Sequence, residues 1–184
     1  MKSISAHLDS LDATTRLAEV VELTKTDQAR LFEAAKGHRA ITLADVVPAD
    51  RPAMAEVVHQ GKNTLPAFTR FAKVFCKPQG NGNGPKELWG YNRNAGFIES
   101  TVGPGYFVAR LADDPSEVLI DYLKLPPDKP TEWPKIRDNK SGLGRFVYHG
   151  MQDVLRGVSK HVSIGRASKG GKDMNAWFVL CRQE

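Results

Sequence analysis

His149 and Asp153 stand four residues apart. On a helix that spacing sets a carboxylate beside an imidazole, the pairing that general-base catalysis uses. No nucleophile accompanies them locally, so the plainer expectation is a solvated helix face carrying an ion pair. A second near-motif is Gly165-Arg-Ala-Ser-Lys-Gly-Gly-Lys172. A phosphate-cradling loop needs glycine, four residues, then glycine, lysine and a hydroxyl residue opening a helix. Here an extra glycine intervenes, Asp173 takes the hydroxyl position, and the flanks read as strands, so a hairpin turn is expected. His7, His38, His59, His149 and His161 are scattered, and neither Cys-x-x-Cys nor His-Glu-x-x-His occurs, so no metal or cofactor is expected.

Charge offers a broader candidate. Residues 1–60 carry 7 basic and 9 acidic groups, whereas residues 129–172 carry 10 basic against 3 acidic. That segment accounts for the whole positive excess of the chain's second part. A surface of this kind attracts anions in general. The predicted anion-binding set is Lys135, Arg137, Lys140 and Arg145 on a long loop and helix start, with Arg156, Lys160, Arg166, Lys169 and Lys172 on the helix end and a hairpin. Nucleic acid is a weaker expectation, because Trp133 is the single aromatic available to stack on bases.

These residues need elements to hold them. Residues 13–23 and 25–36 read as helices, with Thr24 as a cap and Gly37 as a stop. A short helix is expected at 52–59. Another is expected at 64–77, where Leu65, Phe68, Phe71, Ala72 and Phe75 recur at three- and four-residue spacing. Pro78-Gln-Gly-Asn-Gly-Asn-Gly-Pro85 reads as a connector. After it, strands are predicted over 87–92, 97–102, 106–111 and 117–123. A proline-rich loop at 125–142 follows. An amphipathic helix is expected over 143–161 and a closing hairpin over 162–181.

The expected fold is α+β: N-terminal helices, then an antiparallel sheet of about five or six strands with one amphipathic helix packed on it. Its parts are a helical segment 1–77, a linker 78–86 and a sheet-plus-helix segment 87–184, folded on one core. No stretch is long and apolar enough to span a bilayer. The absence of a signal-like apolar start and the reading of Cys76 and Cys181 as reduced point to the cytoplasm. The expected function is a non-enzymatic binding module for an anionic ligand or acidic protein partner. The alternative is a small-molecule carrier or enzyme with a pocket between sheet and helix, lined by Glu99, Asp121, Tyr122, His149 and Asp153. A further alternative is a self-assembling or adaptor protein; the sequence leaves the oligomeric state open.

Overall fold

The computed structural model describes residues 1–66, 69–80, 84–94 and 102–183. Eight antiparallel strands run β1 Val57–Asn63, β2 Arg70–Cys76, β3 Leu88–Arg93, β4 Tyr106–Leu111, β5 Val118–Asp121, β6 Met151–Gly157, β7 Val162–Lys169 and β8 Lys172–Arg182. Each strand pairs with the next, and β8 closes on β1 through His59↔Arg182 to Asn63↔Phe178. The result is an up-and-down barrel. Closure removes both exposed sheet edges.

The expected α+β arrangement does not hold. Residues 143–161 form a single helical turn, α5 (Gly144–Val147), and then β6. Gly150, at φ +77°, sits between them. Leu155 and Asp153 are buried inward, while Val154 is half-covered on the outside. Apolar residues on both faces of a strand imitate the spacing of a helical stripe. The same holds for the helix expected at 64–77. There Phe71, Lys73 and Phe75 face the barrel interior, and Ala72, Val74 and Cys76 are buried on the outer face. A strand covered on both sides reads as continuously apolar. The short helix expected at 52–59 is a turn leading into β1. Within the first 77 residues, four helices lie between residues 2 and 46 and two strands, β1 and β2, between 57 and 76 among the described residues. The strand expected at 97–102 lies almost wholly outside the described residues, as do residues 81–83 of the linker.

Helices α2 (Ala13–Glu22) and α3 (Lys25–Ala34) cover the outside of β7 and β8, and α1 (Lys2–Ser10) is tied to α2 through Arg16, which donates to the Leu8 carbonyl. Helix α3 begins in a capping box, with Thr24 accepting from the Asp27 amide and Asp27 accepting from the Thr24 amide. Leu8, Val20, Val21, Phe32 and Ala35 pack on Val162, Ile164, Val179 and Cys181. Burial of a side chain such as Phe32 is worth about 1.5–3 kcal/mol. The Arg156 guanidinium lies 3.9 Å over its ring and bonds Glu117 Oε1 at 2.6 Å.

One end of the barrel is plugged. The segment around α4 (Leu43–Val46) places Ile41, Leu43, Val46 and Val47 against Val57, Phe75, Leu88 and Phe107. His59 Nε2 meets the Val46 carbonyl at 2.9 Å, and Arg182 donates to the Asp45 carbonyl at 2.6 Å. The 125–142 loop is a strap across the outside of β2, β3 and β4. Trp133 packs on Tyr91 and Tyr106, and its indole N–H donates to Glu56. Asn139 donates to the carbonyls of Tyr106 (2.7 Å) and Tyr122 (2.9 Å), tying the strap to β4 and the end of β5.

Candidate ligand-binding cavity

Alternation along the strands decides what the barrel holds. Toward the plugged end the interior is filled by Phe75, Leu88, Phe107, Ile120, Leu155 and Leu180. Glycines on the wall let rings lie flat across it. Gly90 pairs with Phe107 and Gly165 with Phe178, and a Cβ at either glycine would fall 2.4 Å and 2.2 Å from the opposing ring.

Above this packed layer, four polar side chains from four strands or strand ends meet. They are Lys73 from β2, Asn92 from β3, Tyr122 after β5 and Asp153 from β6, and all are buried. Lys73 Nζ donates to Asn92 Oδ1 at 3.1 Å, to Asp153 Oδ2 at 3.2 Å and to the Tyr122 hydroxyl in a short contact. Asn92 Nδ2 donates to the Tyr122 hydroxyl at 2.8 Å. An ammonium has three N–H donors, and here all three are engaged. The same nitrogen lies 4.8 Å from the Phe178 ring centre, 5.0 Å from Tyr122 and 5.1 Å from Phe107. These π-faces add attraction for a cation.

Burial pushes the Lys73 amine down and the Asp153 carboxyl up, and the attraction between them opposes both shifts. Three acceptors arranged around Nζ fit the charged pair. Burial also pushes the Tyr122 phenol well up, reinforced by the nearby Asp153 charge, so it stays protonated. Asp153 Oδ1 is buried and has no hydrogen-bond partner among the described residues.

Toward the other end the barrel opens into a cavity of about 330 Å³ whose wall is mostly apolar. Lys73, Asn92, Tyr122 and Asp153 lie at its polar patch, and Phe71, Ala167, Ala176 and Phe178 form much of its side. Tyr148 leans over Tyr122, ring centres 5.6 Å apart and planes 11° off parallel. Asn94 Nδ2 donates to its hydroxyl at 3.0 Å. Leu65, Phe146, Val147 and Met174 stand at the rim, where Phe146 is 65% exposed. The volume and lining suit a small ligand pocket.

Of the pocket residues predicted from sequence, Tyr122 and Asp153 meet in this cavity. Asp121 points away from it, its Oδ1 accepting from the Leu123 amide at 3.0 Å. His149 is exposed in the turn before β6. Because residues 149–153 do not form a helix, His149 and Asp153 do not share a face. Glu99 lies outside the described residues.

The predicted cations fall into four places. Lys135, Arg137 and Lys140 are exposed on the strap. Arg145 stacks on Phe146 at 4.7 Å and Lys169 donates to the Phe146 carbonyl at 2.6 Å, so both flank the rim, with Lys172 paired to Lys169 in the hairpin. Arg156 and Arg166 are engaged with α3: Arg156 donates to the Phe32 carbonyl, and Arg166 lies 5.3 Å from the Phe32 ring centre and ion-pairs with Glu33 and Asp173. Lys160 is exposed in the β6–β7 turn, its amide held by Asp9.

Sequence reading missed Lys73 and Asn92. Their signal is a lone lysine inside the run Phe71-Ala-Lys-Val-Phe-Cys76 and an asparagine ending an apolar strand. Read at period two, both fall on the inward face. Among the described residues no group of His, Cys, Asp and Glu could hold a metal ion, and no helix is long and apolar enough to cross a membrane. Compared with known proteins, the chain matches no family model, no curated protein and no solved structure.

Proposed function

We propose that this chain is a non-enzymatic binding protein whose ligand is a small, largely apolar molecule held in the open half of the barrel. The observation that carries this reading is a cavity of about 330 Å³ with an apolar wall and one buried polar cluster at its inner end. Such a cavity gives a ligand apolar contact along its length and orientation at one end. The engagement of all three Lys73 donors favours binding over amine catalysis, since a nucleophilic amine would have to break them. Cys76 and Cys181, both buried as thiols outside any disulfide, support a reducing compartment, and hence the cytoplasm.

The test is binding of 1-anilinonaphthalene-8-sulfonate, followed by its fluorescence. Saturable one-to-one binding is expected. Ala167→Phe, which fills the cavity from β7, is expected to weaken it at least tenfold while leaving the melting temperature within a few degrees. Unsaturable binding, or equal binding by the filled variant, overturns the reading.

A second reading keeps the recognised group anionic and outside the barrel. Arg145 and Lys169 flanking the exposed Phe146 favour it. It predicts affinity for an acidic partner that falls steeply with salt. Binding that is flat between low and high salt removes it.

A further inference from the structure

The polar end of the cavity has a definite hydrogen-bonding sense. Lys73 and Asp153 are the only ionic side chains on its wall among the described residues. They neutralise each other at 3.2 Å. Among the described residues, then, the cavity has no surplus charge with which to hold an anion or a cation. Lys73 has no donor left to give. Asn92 and the Tyr122 hydroxyl are turned toward each other and toward Lys73, and the hydroxyl also lies against the Asp153 carboxylate. What remains is Asp153 Oδ1, an acceptor on a side chain only 1% exposed, with no partner among the described residues. Leaving such an acceptor unsatisfied is costly. Oδ1 is itself buried while Asp153 lines the cavity, so a donor in the cavity recovers that cost once the carboxylate turns toward it.

We infer that the ligand is a neutral amphiphile whose polar end carries a hydrogen-bond donor, a hydroxyl or N–H group, that donates to Asp153 Oδ1. The inference rests on the cavity-binding reading above and adds the chemistry of the ligand's head. A carboxylate head would bring only acceptors to Asp153 Oδ1 and would find no unused donor, since Lys73 is already spent on Asp153, Asn92 and Tyr122. An ester or ether would bring a second acceptor to an acceptor. An ammonium head would meet the Lys73 charge across the same carboxylate.

Three probes of equal chain length separate these cases: 1-decanol, decanoate and methyl decanoate, each displacing 1-anilinonaphthalene-8-sulfonate from the full-length protein. Decanol is expected to compete at least tenfold better than the other two. This comparison uses the unaltered protein and needs no variant to fold. In Asp153→Asn the acceptor charge is lost and Lys73 is left unneutralised, so the order is expected to reverse in favour of decanoate. Decanoate or the ester matching decanol in the unaltered protein overturns the inference and leaves the cavity reading standing. So does a folded Asp153→Asn protein with the original order. Failure of all three probes, together with unsaturable dye binding, removes both.

Discussion

Lys73 Nζ and Asp153 Oδ2 lie 3.2 Å apart inside the barrel, joining β2 to β6 across a separation of 80 residues. A buried pair of this kind is expensive to break on one side, because the remaining charge has no partner, whereas replacing both members with apolar residues is often close to neutral. Lys73→Met is expected to cost about 3–5 kcal/mol by urea unfolding at pH 8. The double variant Lys73→Met with Asp153→Leu is expected to recover most of that loss. In the single variant Asp153 escapes by taking a proton. Its folded pKa then lies further above the unfolded value, so the stability it contributes is present at low pH and lost as pH rises. The single variant should therefore be closer to the parent at pH 4.5 than at pH 8. A double variant no more stable than the single one contradicts this account.

Gly165 makes a second, steric prediction. Its partner in the neighbouring strand is Phe178, whose ring lies where a Cβ would go, and the same ring sits beside the Lys73 ammonium. Gly165→Ala should push the ring toward the cavity and cost about 1–3 kcal/mol through overpacking. It should also lower dye affinity. Gly171, at φ +75° in the β7–β8 turn, has nothing within 4 Å of its virtual Cβ. Gly171→Ala is therefore expected to lose about 1–2 kcal/mol through backbone strain alone, with dye affinity unchanged. Equal dye affinity in both variants would show that Phe178 does not shape the cavity.

What the sequence discloses depends on how local the physics is. The Thr24–Asp27 capping box and the Gly170-Gly171 hairpin are satisfied within a few residues, and both are readable from residue type alone. β2 and β6 are not local in this sense. Their outer faces are covered by the strap, the helices or neighbouring side chains far away in sequence, and that cover makes residues such as Val74, Cys76 and Val154 apolar. Coverage on both faces erases the period-two signal and leaves spacings that a helix also satisfies. The spacing of Asp153 to His149 is visible along the chain, yet the neighbours of Asp153 in space are Lys73, Asn92 and Tyr122, contributed by other strands and strand ends. Barrel closure is equally non-local: the β1–β8 register joins His59 to Arg182.

The two cysteines give a chemical prediction. Both are buried thiols outside any disulfide. Burial, with a smaller push from the Asp128 charge, raises the Cys76 thiol to about 12. The thiolate is the reactive form, so at pH 8 the native protein should resist alkylation by N-ethylmaleimide, and intact-mass analysis should find no adduct. After denaturation two adducts are expected. Rapid labelling of the native protein at either site would mean that β2 or β8 opens locally far more readily than their packing implies.

His59 carries the pH prediction for the plugged end. Its ring is buried against Phe75, and Nε2 meets the Val46 carbonyl, which fixes the neutral ring as the donor there. Burial, assisted by the Arg182 charge and opposed by that hydrogen bond, lowers its pKa from 6.5 to about 4. In the unfolded chain the imidazole takes up a proton as pH falls through 6.5, while in the folded protein it stays neutral until about 4. The stability its neutral form contributes is thus present above 6.5 and drains away between 6.5 and 4. The pKa difference corresponds to roughly 2–3 kcal/mol by pH 4.5. His59→Gln keeps an amide donor for Val46 and has nothing to titrate. Urea unfolding at pH 7 and pH 4.5 should show the parent losing about 2–3 kcal/mol more than this variant across that interval. Parallel losses in the two proteins would mean that His59 is protonated in the folded state, and that the α4 plug opens to water well before the barrel unfolds.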